Sequence, residues 1–136
     1  MDWKLELVVL PVADVELAKA FYLEKAGFDL HTDYSAGDFR VVQLTPPGSA
    51  CSVALMANPE SAGSVHGLHL VVSDIEAARA ELAGRGLGPS EIFHFDAGNQ
   101  KPGPDPDRSD YNSFFAFDDL DGNGWLVQEV RARRAP

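Results

Sequence analysis

The segment Val12–Ala20, with the sequence VADVELAKA, reappears sixty residues later as Val72–Ala80, with the sequence VSDIEAARA. Seven of the nine positions match in identity or chemical type. Asp14 in one copy and Asp74 in the other can each cap a helix, because a carboxylate accepts the free N–H groups of the first turn. Each copy follows a β-type run and precedes a glycine suited to ending the helix. The repeat therefore predicts a duplicated strand–helix unit.

Strand-like segments follow both predicted helices. They are Phe28–Tyr34, Phe39–Thr45 and Cys51–Ala57 in the first half, and Glu91–Phe95, Ser113–Phe117 and Trp125–Val130 in the second. Each half thus reads β-α-β-β-β, and the predicted class is α+β: two tandem modules forming a curled mixed sheet around a cavity, with the helices outside. We expect one domain with module one at 1–58, a linker at 59–66, module two at 67–131 and a tail at 132–136.

A proline- and glycine-rich stretch, 97–112, interrupts the symmetry of the two halves. It is predicted as a long loop without secondary structure. Loops of this length in compact domains often serve as lids or binding loops, and the alternative is a solvated surface excursion.

The composition excludes several classes of protein. Eleven Lys and Arg residues face 21 Asp and Glu residues, for a net charge of −10. Such a chain lacks the basic surface that nucleic acids or anionic membranes require. The run Leu7–Leu10 is far too short to span a bilayer, and the N-terminus lacks the pattern of a signal peptide. With a single cysteine, Cys51, no internal disulfide can form. We expect a soluble cytoplasmic protein without nucleic-acid or membrane partners.

Several features together resemble a known group of proteins. They are the two β-α-β-β-β modules, the V-x-D start of each helix, Phe21-Tyr22 before Gly27-Phe28, and Asp119-Leu-Asp121-Gly122-Asn123 before the last strand. In their order and spacing they resemble the vicinal oxygen chelate superfamily, which includes glyoxalase I, bleomycin-resistance proteins and extradiol dioxygenases. The resemblance covers nearly the whole chain. It implies a cavity curled within the sheets and, commonly, a homodimer.

The resemblance also implies a divalent metal held by four side chains from the first and last strands of each module. That metal acts as a Lewis acid on substrate oxygens. The corresponding positions here are Leu7, Ala54, Gly67 and, on the last strand, Leu126 or Gln128. The first three cannot coordinate, and one neutral amide oxygen does not hold a transition metal. We therefore predict no metal and no cofactor of the usual kind.

One alternative arrangement centres on His69. Residues two apart on a strand share a face, so His69 lies on the same side as position 67, towards the predicted cavity. Together with Gln128 and a carboxylate it could form an unorthodox metal site, for which Glu129 would need a bulged strand. A neutral imidazole could also act as a general base near pH 7, which makes His69 the one candidate catalytic residue.

Two further candidates lie in the stretch 97–112. Arg108, with its neighbour Lys101, could pair with an anionic substrate, and Tyr111 could stack on it; the alternative is a polar loop whose charges neutralise one another. The complete set of predicted ligand-binding residues is Leu7, His69, Arg108, Tyr111, Trp125 and Gln128.

Three functions remain open from the sequence. The first is a metal-free glyoxalase/bleomycin-resistance-like protein that binds a small organic molecule, with the acidic composition favouring a cationic ligand. The second is a lyase, isomerase or dioxygenase of the glyoxalase type, using a displaced metal site or acid–base catalysis by His69. The third is a structural or regulatory module with a collapsed cavity.

Overall fold

Residues 1–131 are described by the computed structural model of the chain. They divide into unit 1, which contains 1–66 and 118–123, and unit 2, which contains 67–117 and continues from 124. The predicted tail, 132–136, lies outside the described residues. Within residues 1–131 no helix is both long and apolar enough to cross a membrane.

Unit 1 contains four strands and one helix. They are β1 (Leu7–Val12), α1 (Val15–Ala20), β2 (Asp29–Ala36), β3 (Phe39–Thr45) and β4 (Ser52–Ala57). The sheet order is β1-β4-β3-β2, with β1 and β4 parallel and the other neighbours antiparallel. Asp14 caps α1 as expected, since its carboxylate accepts a hydrogen bond from the Leu17 N–H at 3.0 Å. After α1 the chain widens into a π-helical turn over Phe21–Lys25.

The two faces of this sheet differ in exposure. The face towards α1 carries the buried side chains of the sheet, which are Leu10, Val12, Val42, Leu44, Val53 and Leu55. On the other face, which we call the first open face, Val9 and Tyr34 keep about half of their surface. Leu7 and Ala54 lie on this same side, since Leu7 pairs with Ser52 and Val9 with Ala54 in the parallel register.

Unit 2 repeats the plan with one strand more. Its elements are β5 (Leu68–Val72), α2 (Ile75–Gly84), β6 (Phe93–Asp96), β7 (Asn99–Pro102), β8 (Phe114–Asp118) and β9 (Gly124–Glu129). The sheet order is β5-β9-β8-β6-β7, with β5 and β9 parallel. Asp74 caps α2 by accepting hydrogen bonds from the N–H groups of Glu76 and Ala77, both at 3.1 Å. The predicted α+β class and the duplicated strand–helix unit are confirmed.

Strand β7 corrects the prediction of an unstructured loop over 97–112. Asn99–Pro102 pairs with β6 in a hairpin whose two turn residues, Ala97 and Gly98, both have positive φ, at 51° and 82°. Such a turn matches the twist of a hairpin but is usually signalled by Asn-Gly or Asp-Gly. Because the first turn residue is alanine, the sequence lacks that signal and does not reveal the hairpin. The second module has four strands after its helix, β6 to β9.

The segment between β8 and β9 is packed within unit 1 through a network of hydrogen bonds. Asp119 accepts from the Tyr22 hydroxyl at 2.7 Å and from three successive backbone N–H groups of its own turn. The fully buried Asn123 donates to the Pro11 carbonyl and accepts from the Val65 N–H. Through these hydrogen bonds the D-L-D-G-N motif connects the end of β1, the π-helical turn and the linker.

Candidate functional site

Unit 2 presents an open face on the side of its sheet away from α2. His69 pairs with Leu126 and Val71 pairs with Gln128, so these four side chains lie on one side of β5 and β9. His69 and Val71 are exposed. We call this side of the sheet the second open face. The register brings His69 and Gln128 to the same face, in agreement with the alternation expected from the sequence.

A hydrogen bond determines the tautomer of the neutral His69 ring. Its Nδ1 lies 2.6 Å from the carbonyl oxygen of Gly67, which can only accept a hydrogen bond. In the neutral ring the proton therefore sits on Nδ1, and Nε2 keeps its lone pair. This leaves Nε2 able to accept a proton or a hydrogen bond from a bound molecule.

Three phenylalanines form a cluster on the second open face. Phe117 stacks on Trp125 on the α2 side, so alternation along β8 places Phe114 on the opposite, open side. Phe93 stacks on Phe114 at 5.5 Å between ring centroids, and Phe95 meets both rings edge-on at 5.9 and 5.8 Å. Phe95 is 43% exposed, whereas Phe114 is buried beneath it. The cluster thus offers one exposed aromatic ring on an apolar base.

A groove of about 520 Å³ lies beside this cluster. Its lining comes from β6, β7, β8 and the residues before β6, and consists of Ser90, Glu91, Ile92, Phe93, Gln100, Lys101, Pro102 and Ala116. A mostly apolar wall with a few polar groups is the usual composition of small-molecule sites. The sequence did not point to this groove, because three of its eight lining residues belong to the unpredicted strand β7.

Arg108 lies on the α2 side of unit 2, where it is bound by acidic side chains. Its guanidinium donates to both carboxylate oxygens of Glu129, at 2.9 and 2.5 Å, and to Glu76 at 2.9 Å. Glu129 is fully buried and also accepts from the Ile75 N–H at 2.8 Å. The bidentate hydrogen bonds of Arg108 hold the pKa of Glu129 below its ordinary value despite the opposing effect of burial. The same hydrogen bonds raise the pKa of Arg108.

The remaining predicted residues lie on different sides of the fold. Trp125 is buried on the α2 side, opposite to His69 and Gln128, with its ring stacked on Phe117 at 5.8 Å. Glu129 is on that buried side too, because β9 pairs with β5 without a bulge. Tyr111 is exposed with a φ of 68°. Of the six predicted ligand-binding residues, the structure brings His69 and Gln128 together on one face.

The donor set at the expected metal positions does not fit a metal. Leu7 and Ala54 offer hydrocarbon to the first open face, and Gly67 has no side chain. On the second open face, β5 and β9 offer one imidazole and one amide, from His69 and Gln128, and the carboxylate of β9, Glu129, lies on the opposite, buried side. Among residues 1–131 no three His, Cys, Asp or Glu side chains are grouped to hold an ion. Transition metals in proteins require more, and more basic, ligands than these.

Residues 4–127 match the sequence profile of the Glyoxalase/Bleomycin resistance protein/Dioxygenase superfamily. The chain belongs to this superfamily. The resemblance read from the repeat and the D-L-D-G-N motif is thereby confirmed. None of the curated proteins is significantly similar to the chain in sequence.

Solved structures give more specific similarities. TnmS3, an antibiotic binding protein from Streptomyces sp. CB03234, is 31% identical, with a TM-score of 0.73 over 94% of this chain and 96% of that one. A glyoxalase/bleomycin resistance protein from the same organism is also 31% identical, with a TM-score of 0.71 over 93% and 100%. A member of the superfamily from Sphaerobacter thermophilus DSM 20745 is 26% identical, with a TM-score of 0.68 over 95% and 98%.

Proposed function

We propose that this protein binds a small organic molecule on the second open face and does so without a metal ion. The observation that carries the proposal is the chemistry of the expected ligand positions. Where enzymes of the superfamily hold a metal, this chain has Leu7, Ala54 and Gly67, while an aromatic cluster and two hydrogen-bonding groups occupy the second open face. An apolar surface with a few oriented polar groups suits binding rather than Lewis-acid chemistry.

Similarity to an antibiotic binding protein supports this choice within the superfamily. At 31% identity over nearly the whole chain, TnmS3 resembles this chain in sequence as well as fold. We therefore propose an antibiotic-like organic compound as the ligand class. Residues His69 and Gln128 are proposed to orient it through hydrogen bonds, and Leu7, Tyr111, Arg108 and Trp125 are the other candidates from the sequence.

Two measurements test the proposal. A thermal-shift screen should show stabilisation by some aromatic compounds, because a ligand that binds only the folded state raises its stability. Elemental analysis after incubation with Ni, Zn, Mn and Fe(II) and gel filtration should find the protein nearly free of metal. A broad screen without a single stabilising compound, or near-stoichiometric metal, would refute the proposal.

A catalytic alternative rests on the geometry of His69. Its Nε2 is available as a proton acceptor because Nδ1 is held by the Gly67 carbonyl. We propose as the second candidate function a lyase, isomerase or dioxygenase of the glyoxalase type in which His69 takes a proton from the substrate. His69→Ala should then abolish turnover in such assays while leaving the urea midpoint unchanged. Equal turnover by this variant and the parent would remove His69 from any mechanism.

We also propose that two copies associate into a homodimer. Trp3, Leu5 and Val9 of unit 1 are 89, 70 and 47% exposed, and their apolar surface would be covered by a second copy. Sedimentation at micromolar concentration measures this directly. A strict monomer over that range would contradict it.

A cytoplasmic location completes the proposal. Cys51 is a free, partly buried thiol, and free thiols persist in reducing compartments. Fractionation of cells that express the chain at native level tests this, and recovery outside the cytoplasm would contradict it.

A further inference from the structure

We infer that the groove beside β6 and the pair His69 and Gln128 are two ends of one binding site, which takes a flat aromatic compound carrying a hydroxyl group. Ala116, on the strand that borders the groove, decides whether the aromatic rings fit. This inference deepens the proposed function and rests on it.

The pairing of β8 with β9 brings the aromatic cluster next to Gln128. The N–H of Glu129 donates to the carbonyl of Ser113 at 3.0 Å, and this hydrogen bond sets the antiparallel register of the two strands. The next pair along them is Phe114 with Gln128, whose side chains both lie on the second open face. Phe93 on β6, which lines the groove, pairs with Phe114 from its other side. One strand, β8, therefore separates Gln128 from the groove.

A second row of side chains runs across the sheet from His69 to the groove. His69 pairs with Leu126, and the register of β8 with β9 places Leu126 opposite Ala116. The rings of the adjacent pair, Phe117 and Trp125, stack at 5.8 Å, as this register requires. Ala116 lines the groove. We use the name site floor for Leu126 and Ala116, which are both half-buried on the second open face.

The dimensions of this row suit a small planar molecule. Neighbouring strands are about 4.8 Å apart, so the backbones at His69 and Ala116 are separated by about 10 Å. A compound of two fused rings with one substituent can cover that distance. The groove adds about 520 Å³ beyond Ala116, which is within the usual range for small-molecule sites.

Alanine at position 116 leaves space that a larger residue would fill. In β8, with the sequence FFAFD, it interrupts a run of phenylalanines. Strands favour β-branched and aromatic residues and are depleted in alanine, so this residue contributes little to the stability of the strand. Its half-buried methyl group forms part of the groove wall. The small side chain therefore provides room for an aromatic ring above the site floor.

The polar end of the site favours a hydroxyl group. Nδ1 of His69 is bonded to the Gly67 carbonyl at 2.6 Å, so Nε2 of the neutral ring accepts a hydrogen bond. Gln128 is a diagonal neighbour of His69, because it pairs with Val71, and its amide can donate. A hydroxyl group can donate to the imidazole and accept from the amide at the same time. An ether or carbonyl oxygen has no proton to donate to Nε2.

The test compares 2-naphthol with 2-methoxynaphthalene, which has the same rings without the hydroxyl proton, by calorimetry on the full chain at pH 8. We expect one-to-one binding of 2-naphthol, about fivefold tighter than binding of the ether, which is the effect of one hydrogen bond between neutral groups. His69→Leu should lower the affinity for 2-naphthol to that for the ether. The matched control, His31→Leu, changes an exposed histidine of unit 1 and should keep the fivefold difference.

A second variant tests the aromatic end of the site. Ala116→Val enlarges the side chain on the site floor and should weaken both compounds at least about fivefold, without changing the ratio of their affinities. Because valine favours strands more than alanine does, the urea midpoint should stay the same or rise. The matched control is Ala36→Val, at an exposed position of β2 in unit 1, which should keep both affinities within about twofold of the parent.

The results distinguish this inference from the function on which it rests. Absent 2-naphthol binding, equal affinities of the parent for the two compounds, or an unchanged ratio in His69→Leu would each overturn it. So would unchanged affinities in Ala116→Val, or a loss of affinity accompanied by a lower urea midpoint. If other compounds still stabilise the protein in the thermal-shift screen, the proposed function survives that failure. If no compound does, both fail.

Discussion

Replacing Arg108 by methionine tests whether this residue supports the fold or contacts a ligand. Methionine keeps an unbranched apolar stem but removes the guanidinium that binds both oxygens of Glu129. The Glu129 carboxylate, which has no exposed surface, would keep the hydrogen bond from Ile75 and lose its charged partner. The prediction is therefore a large loss of stability in unit 2.

The magnitude follows from the burial of the two partners. Removing one member of a buried ion pair costs about 3–5 kcal/mol, because the other charge is left in a poorly solvated place. The side chain of Arg108 is 24% exposed, so water can reach part of the vacated space. The further contact to Glu76 is exposed and contributes under about 1 kcal/mol. We expect a decrease of about 3 kcal/mol in the free energy of unfolding.

Urea denaturation followed by tryptophan fluorescence measures the free energy of unfolding of unit 2. Trp125 is buried against Phe117 in unit 2, whereas Trp3 is almost fully exposed and changes little on unfolding. The double variant Arg108→Met/Glu129→Gln should recover most of the loss, since no buried charge remains unpaired. An Arg108→Met protein within 1 kcal/mol of the parent that no longer binds its ligand would refute this reasoning and make Arg108 a ligand contact.

Three other predictions concern single residues. Asn123→Ala should cost about 3 kcal/mol, because a fully buried amide with three hydrogen-bond partners is removed; a loss below 1 kcal/mol in urea denaturation followed by circular dichroism would contradict this. Gly63→Ala should destabilise more than Gly67→Ala. Both glycines have φ near 80°, but a Cβ on Gly63 alone would overlap the Asp121 carbonyl, and equal urea midpoints would disprove the overlap. The lowered pKa of Glu129 gives stability that is present above about pH 5 and lost as the pH falls through the folded-state value. Glu129→Gln should therefore flatten the acid limb of a pH series from 7 to 3, and parallel acid limbs would rule this out.

The repeat was sufficient to predict the strand–helix units because its signals are local. Capping by Asp14 and Asp74 depends only on residues within the next turn, and both caps occur as expected. Strand ends were less well defined. The β-type run before the first helix extends in the sequence from Lys4 to Val12, but strand β1 begins at Leu7. The first six residues are exposed, and the register with β4 starts at Leu7.

The roles of Arg108 and Trp125 depend on contacts that are distant in sequence. The partner of Arg108, Glu129, lies 21 positions away, and no local pattern indicates that this carboxylate is buried. The position of Trp125 could have been deduced. It lies three residues before Gln128 on one strand, so the two side chains must face opposite sides of the sheet. An aromatic side chain such as Trp125 is equally consistent with a buried position and with a binding surface. The alternation of side chains along the strand decides between the two.

Strand β9 links the stability of unit 2 to the chemistry of its open face. Its alternation sends Trp125, Val127 and Glu129 to the α2 side, where all three are buried, and leaves Leu126 and Gln128 on the other. A slip of one residue would reverse every side chain of the strand. It would turn the Glu129 carboxylate to the side of the sheet that carries His69 and give the second open face the beginnings of a metal site.

The slip is opposed by the ion pair, because it would separate Glu129 from Arg108 and leave that guanidinium facing an amide or a hydrocarbon. A buried charged pair is a recognised means of fixing register. The same contact that stabilises unit 2 therefore keeps acidic groups of β9 off the face where we place the ligand. It follows that Gln128→Glu, which adds the carboxylate without moving the strand, is a change by which the second open face could gain metal affinity.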